Sequence, residues 1–496
     1  MLSGQAIIAW GIAMIDQPDV QHRRRKPRYR PRNVILAALL VVVLVIVWAF
    51  WETWKVYKDE PDAAVDYRVV LTTLCESRQS AGEDGWPQLA AVLERLEAAS
   101  WEARRQANEA GGNWHDAKGA ADEAIRRLLL DGDLMDDLRQ ALAKPRFVRP
   151  WRSTGMLFDE LLPLLSPARS VGVVLAEHMR RASDRGEWED AIESMRLGMR
   201  LGEVTARQPS TIHYIVGAAI QTAILREARH ILTEHDVSAA IAAEIGVVAA
   251  GFELPPVEYA IEVGRLDMQS ILQSTHGSGG YALPLRTLFD EVVTSGGLVG
   301  RTPIDPVNDE RSLLRTAISR WYFATRAENG VLADRWYEAL KARAEEPFAT
   351  RWDGWPSPDI LEAIGDRRYA VLAYFTPALE RLVDQPDLLA VDRAATRAMA
   401  AIEQYQADHG HPPAALQELV PGYLADAPWD PVHGGPFGYR LLDDDRHSRA
   451  YLLYSFGADG VDDGGRFDQG DPRFGFSRAG VGYDVPLNPP REDGRE

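Results

Sequence analysis

The stretch RAYLLYSFGADGVDDGGRFD, Arg449 to Asp468, changes character halfway along. Up to Ser455 it is a short run of aromatic and aliphatic residues, the composition of a buried strand. From Ser455 on it packs four aspartates (Asp459, Asp462, Asp463, Asp468) and four glycines into fourteen residues. Carboxylates this close repel one another, and glycine loses more backbone entropy on ordering than any other residue. Two readings are open: a solvated acidic bend, or a loop wrapped around a cation. All the donors on offer are oxygens and the loop holds no His or Cys, so a cation here would be a hard one. Calcium, which accepts about six to eight oxygens in adaptable geometry, suits a glycine-rich wrap better than octahedral magnesium. The loop is not an EF-hand, because the third position counted from Asp459 is Val461.

Working outward, DRAATRAMAAIEQYQADHG, Asp392 to Gly410, has helical spacing and a glycine stop. HPPAALQELVPGYL follows as a turn and short helix, and DAPWDPVHGGPFGYRLL as a Pro- and Gly-rich connection into a strand. GYDVPL, Gly482 to Leu487, offers a last short strand.

In that order these segments resemble the globular head of the type II secretion major pseudopilin, the G subunit. IEQYQADHGHPP matches the family's helix end, WDPVHGGPFGY its Pro/Gly turn, YLLYSFGADGVDDGG its strand and loop, and Asp484-Val485 its closing aspartate. The resemblance covers about a fifth of the chain. It implies a small α+β domain over residues 391–490 with one bound calcium. The implied ligands are the Phe456 carbonyl, the Asp459 carboxylate and a later aspartate, Asp468 or Asp484. Asp463 stands among the candidates, with Asp462 beside it. The resemblance stops at the other end: RPRNVILAALL lacks the Gly-Phe junction and the early Glu of a pseudopilin leader, and some 340 residues part the apolar stretch from the head. The expectation is therefore a head of this type at the end of a different protein.

NVILAALLVVVLVIVWAFW, Asn33 to Trp51, carries eighteen consecutive apolar residues. At about 1.5 Å per residue they approach the roughly 30 Å of a bilayer core. Seven basic residues lie in Arg23–Arg32 before it, and Trp48, Trp51 and Trp54 crowd its far end. Basic flanks stay in the cytoplasm and indoles favour the interface. The pattern predicts a basic cytoplasmic tail (1–32), an uncleaved signal anchor (33–54) and an extracytoplasmic body, a single-pass protein of a bacterial cytoplasmic membrane. A cleaved signal is disfavoured by the length of the apolar run.

Residues 55–390 read as helical almost throughout. RRASDRGEWEDAIESMRLGMRL, Arg180 to Leu201, resembles one tetratricopeptide hairpin with its turn at Gly186, but no period of that length continues. Tyr214–Leu232 is apolar on most faces and interrupted by Gln221 and Arg226, which predicts a buried core helix rather than a second span. The fold class expected is mainly α: one transmembrane helix and an irregular bundle or solenoid-like body, with a small C-terminal α+β domain.

Chemistry is sparse. The formal net charge of −18 speaks against nucleic acid, which needs a basic face. Cys75 is the single cysteine, so neither an internal disulfide nor a Cys-rich zinc site is available. HExxH, GxSxG, GxxxxGK[ST] and GxGxxG motifs are absent. His230, His235 and Asp236 suit a helix surface better than a metal site, and Glu187, Glu189, Asp190 and Glu193 suit a helix start. The expectation is a non-enzymatic, calcium-binding envelope protein that meets protein partners, with a secretion apparatus as the implied setting and no small-molecule substrate. The alternatives are a hydrolase with a site assembled in the helical body, or an authentic pseudopilin.

Overall fold

The computed structural model describes residues 31–60, 65–150, 164–283, 313–351, 358–369, 371–372, 380–443, 449–467 and 483–488. The chain divides into two compact units, Met1–Lys55 and Val56–Glu496. Helix α1 (Pro31–Tyr57) starts on a proline, whose missing N–H costs nothing in a first turn. Its stretch Ala38–Tyr57 is long and apolar enough to cross a membrane, and Leu39 to Val47 are more than half exposed. A helix apolar on every side has no preferred face to bury in water.

The second unit is mainly helical. Helices α2 (Tyr67–Glu76), α3 (Trp86–Glu109), α4 (Trp114–Leu130) and α5 (Leu134–Leu142) come first. The Asp84 carboxylate accepts the Trp86 N–H at the start of α3, and a reciprocal Asn113/Asp116 box opens α4. Leu89, Leu93 and Leu96 of α3 meet Ile125 and Leu129 of α4 in the core. Helices α6 (Leu165–Asp184) and α7 (Trp188–Ala206) form the hairpin expected at Gly186, whose φ of 73° only glycine adopts cheaply.

Helix α8 (Thr211–Glu234) packs on both α6 and α7. Gly202 and Gly217 face each other where α7 and α8 cross; a Cβ on Gly217 would stand 2.4 Å from the Gly202 carbonyl. Gln221, which breaks the apolar pattern, is fully buried and fully used. Its amide donates to the Met199 carbonyl at 2.9 Å and accepts from Arg393 at 2.8 Å. Helices α9 (Ala239–Ala250), α10 (Val257–Thr275), α11 (Leu313–Trp321), α12 (Arg326–Ala344) and α13 (Pro358–Gly365) follow. Tyr337 on α12 donates to the Gly264 carbonyl of α10 at 2.7 Å. Buried Asp267 on α10 receives the Thr211 N–H at the start of α8, and burial raises its pKa well above the usual range. The Cys75 thiol is buried on the Arg207 carbonyl, and burial raises it too.

Helix α14 (Glu380–His409) runs through the expected boundary at 390/391. It packs on α8 and α9, where Arg229 of α8 and Asp392 form a buried ion pair at 2.7 Å and Ala400 faces Gly246 of α9. Gly410, at φ 79°, ends it. Beyond a 3-10 turn (Leu416–Leu419) come β1 (Trp429–Asp430), β2 (Gly435–Pro436), β3 (Gly438–Leu441), β4 (Tyr451–Ser455) and β5 (Val485–Pro486). β1 and β2 form a hairpin; β3, β4 and β5 form an antiparallel sheet in that order. All five residues of β4 are buried. Tyr451 and Leu453 join Ile402, Leu419 and Val432 in one core that also contains Leu225, Ile231 and Ile245 of the helices. The sheet and the body therefore share their apolar interior.

Candidate metal-binding loop

β4 delivers the chain into the acidic loop, which folds back over the outer face of the strand. Gly457, Gly460, Gly464 and Gly465 all take positive φ, so the glycines serve a compact path rather than a loose one. Gly465 shows why no side chain fits: a Cβ there would lie 2.3 Å from the Leu452 side chain. Its N–H donates to Asp484 Oδ2 at 2.7 Å, and the Asp484 N–H donates to the Arg466 carbonyl at 2.7 Å. These two bonds tie the loop to the segment entering β5.

Asp484 is only 2% exposed. Its Oδ1 and Asp463 Oδ2 are both buried without a hydrogen-bond partner. Asp462 Oδ1 accepts from the Gly464 N–H at 2.8 Å and the Tyr454 hydroxyl at 3.0 Å. Burial first, and then the charges of Asp462 and Asp463, raise the Asp484 pKa above its ordinary value, against the N–H groups of Gly465 and Asp463. Such an arrangement is short of positive charge.

Of the five candidate ligands, Asp463 and Asp484 come together. Asp459 stands in an exposed turn, with Oδ1 on the Val461 N–H at 3.1 Å. Phe456 places its ring 4.6 Å from His433 in a stack, beside Tyr454. Asp468 lies outside the described residues. Asp462 and Asp463 both bear on Asp484, and the Asp-Asp doublet beside two glycines was the sequence signal for the first two. The two orphaned oxygens fit a hard cation, although among the described residues no three His, Cys, Asp or Glu side chains group closely enough to enclose one. Asp463 and Asp484 would hold it, and it would supply the positive charge that links loop to sheet.

Beneath the loop, Asp430 is fully buried, holds the Val432 N–H at 2.8 Å and bonds the Ser455 hydroxyl. His433 lies 3.6 Å from its Oδ2. Burial pushes the Asp430 pKa up; the Ser455 and Val432 bonds oppose it. The carboxylate stands between hydroxyl and imidazole, the wrong order for a serine activated by histidine. Elsewhere, a groove of about 680 Å³ between α3, α4 and α6 is lined by Arg104, Trp114, Lys118, Glu123, Arg169 and Glu177, and its described lining includes no His or Cys. His235 lies 3.3 Å from Asp184 and edge-on to Trp188, at the α6–α7 turn. His213 is neutral at any ordinary pH, its pKa lowered by burial to about 3.

Glu403 was not singled out by the sequence. It faces buried Tyr451 from α14, and burial raises its pKa to about 7, helped by Asp236 and opposed by Tyr451. Local spacing could have found it only as a charge on the inner stripe of an Ala-rich helix.

No protein family, curated protein or solved structure matches this chain. The likeness to the pseudopilin head rests on the quoted residues alone.

Proposed function

We propose that this chain is a membrane-anchored envelope protein whose C-terminal segment is a pseudopilin-like, calcium-stabilised α+β head used for protein contacts. The supporting observation is the pair of buried, unpartnered carboxylate oxygens on Asp463 and Asp484. A buried acid without partner or proton costs several kcal/mol, whereas a divalent ion would satisfy both oxygens at once. The apolar helix supports the anchor, and its basic flank supports a cytoplasmic N-terminus with the body outside. The protein acts, on this reading, as a non-enzymatic component that docks partners in the envelope, a secretion apparatus being the setting that the head implies.

Because the head shares its core with the helices, the test uses the full chain in detergent. Thermal unfolding is followed in calcium, in magnesium and in chelator. Calcium at about a hundredfold excess over its Kd should stabilise by about 2.7 kcal/mol, and magnesium should do less. A midpoint that ignores calcium removes the ion from the proposal. Crosslinking in intact membranes followed by affinity capture tests the partner; recovery of the chain alone counts against a docking role.

A further inference from the structure

We infer that His409 and His411 form an open, two-imidazole site for a borderline transition-metal ion such as Cu²⁺, Ni²⁺ or Zn²⁺, separate from the acidic loop. The two residues flank Gly410, whose positive φ ends α14 and turns the chain back on itself. Both rings are exposed, with centroids 6.4 Å apart.

Their tautomers follow from their partners. His409 Nδ1 lies 2.9 Å from the Tyr405 carbonyl, and His411 Nδ1 lies 2.9 Å from the Pro412 carbonyl. A carbonyl can only accept, so each Nδ1 carries a proton and leaves Nε2 as the nitrogen available to a metal. A backbone carbonyl on the far nitrogen is the arrangement that orients metal-binding histidines and raises their basicity.

The rings are also held in place. His409 stacks on Tyr405 at 4.0 Å and 15°, and His411 meets the edge of Tyr405 at 6.1 Å. Tyr405 is fixed by its hydroxyl on Glu418 at 2.8 Å, and neighbouring Tyr423 by its hydroxyl on Asp408 at 2.7 Å. With metal–nitrogen bonds of about 2.0–2.1 Å, two imidazoles on one ion have centroids roughly 5 Å apart when tetrahedral and roughly 6.4 Å apart when trans. The observed separation of 6.4 Å lies at the upper end of that span, where the two rings would sit on opposite sides of one ion. Among the described residues no third side chain joins the pair. Two protein nitrogens and water therefore complete the site, and imidazole ligation selects against calcium and magnesium.

The test is Cu²⁺ binding to the full chain in detergent, by calorimetry and electron paramagnetic resonance, with calcium present throughout. The unaltered protein should bind one tight equivalent with two-nitrogen hyperfine coupling. His409→Phe, which keeps the stack on Tyr405, and His411→Asn should each weaken it by at least about tenfold, equivalent to about 1.4 kcal/mol. Equal affinity in the double variant, or loss of copper when the calcium concentration is raised further, overturns the site. Zn²⁺ titration of the ¹⁵N-labelled unaltered protein gives a second reading: the Nε2 resonances of His409 and His411 should shift together, and shifts confined to other histidines refute the assignment.

Discussion

Asp392 and Asp484 are both buried, at 7% and 2% exposure, yet they are stabilised in opposite ways. Asp392 sits on a helix in the body and meets the Arg229 guanidinium at 2.7 Å, with Thr396 and its own turn around it. Asp484 sits at the edge of the sheet with backbone N–H groups and two further carboxylates for company. The helical region carries its own counter-charge across 163 residues of sequence; around Asp484 the acidic loop gathers carboxylates, while its one arginine, Arg466, lies over the Tyr483 ring. Helices can place a long side chain opposite any partner, whereas a glycine-dense loop has few side chains to offer. Its missing charge has to come from a proton or an ion.

The largest effect expected is on the self-sufficient side. Arg229→Ala leaves Asp392 buried and uncompensated and should cost about 3–5 kcal/mol, measured by chemical denaturation. Arg229→Met with Asp392→Leu should recover most of that loss; a double variant as unstable as the single would show that packing, not charge, is at stake.

Glu403 extends the contrast to pH. Its folded pKa of about 7 lies above the ordinary 4.5, so its contribution is fully present below about pH 4.5 and is lost as pH rises through 7. Glu403→Gln should remove that slope and stabilise the protein by about 2 kcal/mol at pH 8, less than the full shift implies because the group is not wholly buried. Denaturation curves at pH 4.5 and pH 8 decide it, and an unchanged slope would place the titration elsewhere.

Asp484→Asn relieves part of the repulsion and should stabilise the calcium-free protein by about 1 kcal/mol while abolishing the response to calcium. The smallest effect is the most pointed. Asp459→Asn should leave the calcium response within about 0.5 kcal/mol of the unaltered protein, since Asp459 faces solvent. A lost response would restore Asp459 to the ligand set.

Much of the architecture was legible locally. Gly410 marks the end of α14, Gly186 turns the hairpin, and Tyr451–Ser455 and Val485–Pro486 pair as strands because apolar runs bounded by turn residues have few other uses. What escaped is long-range. The run that reads as the first helix of a separate head is the C-terminal part of α14, a helix that also packs on α8 and α9. Nothing in the period of DRAATRAMAAIEQYQ distinguishes a helix covering one sheet from one covering a sheet and a bundle. In the loop, composition announced a shortage of positive charge, but choosing Asp462 and Asp463 over Asp459 depended on where four positive-φ glycines turn the chain.

The threading of α14 through both regions has a temporal consequence. At synthesis rates of about 5–20 residues per second, Ile402 emerges roughly 170 residues and ten to thirty seconds after Leu232. Throughout that interval the apolar sides of α8 and α9 await their cover, which makes them the natural surface for a holdase to grip on the nascent chain.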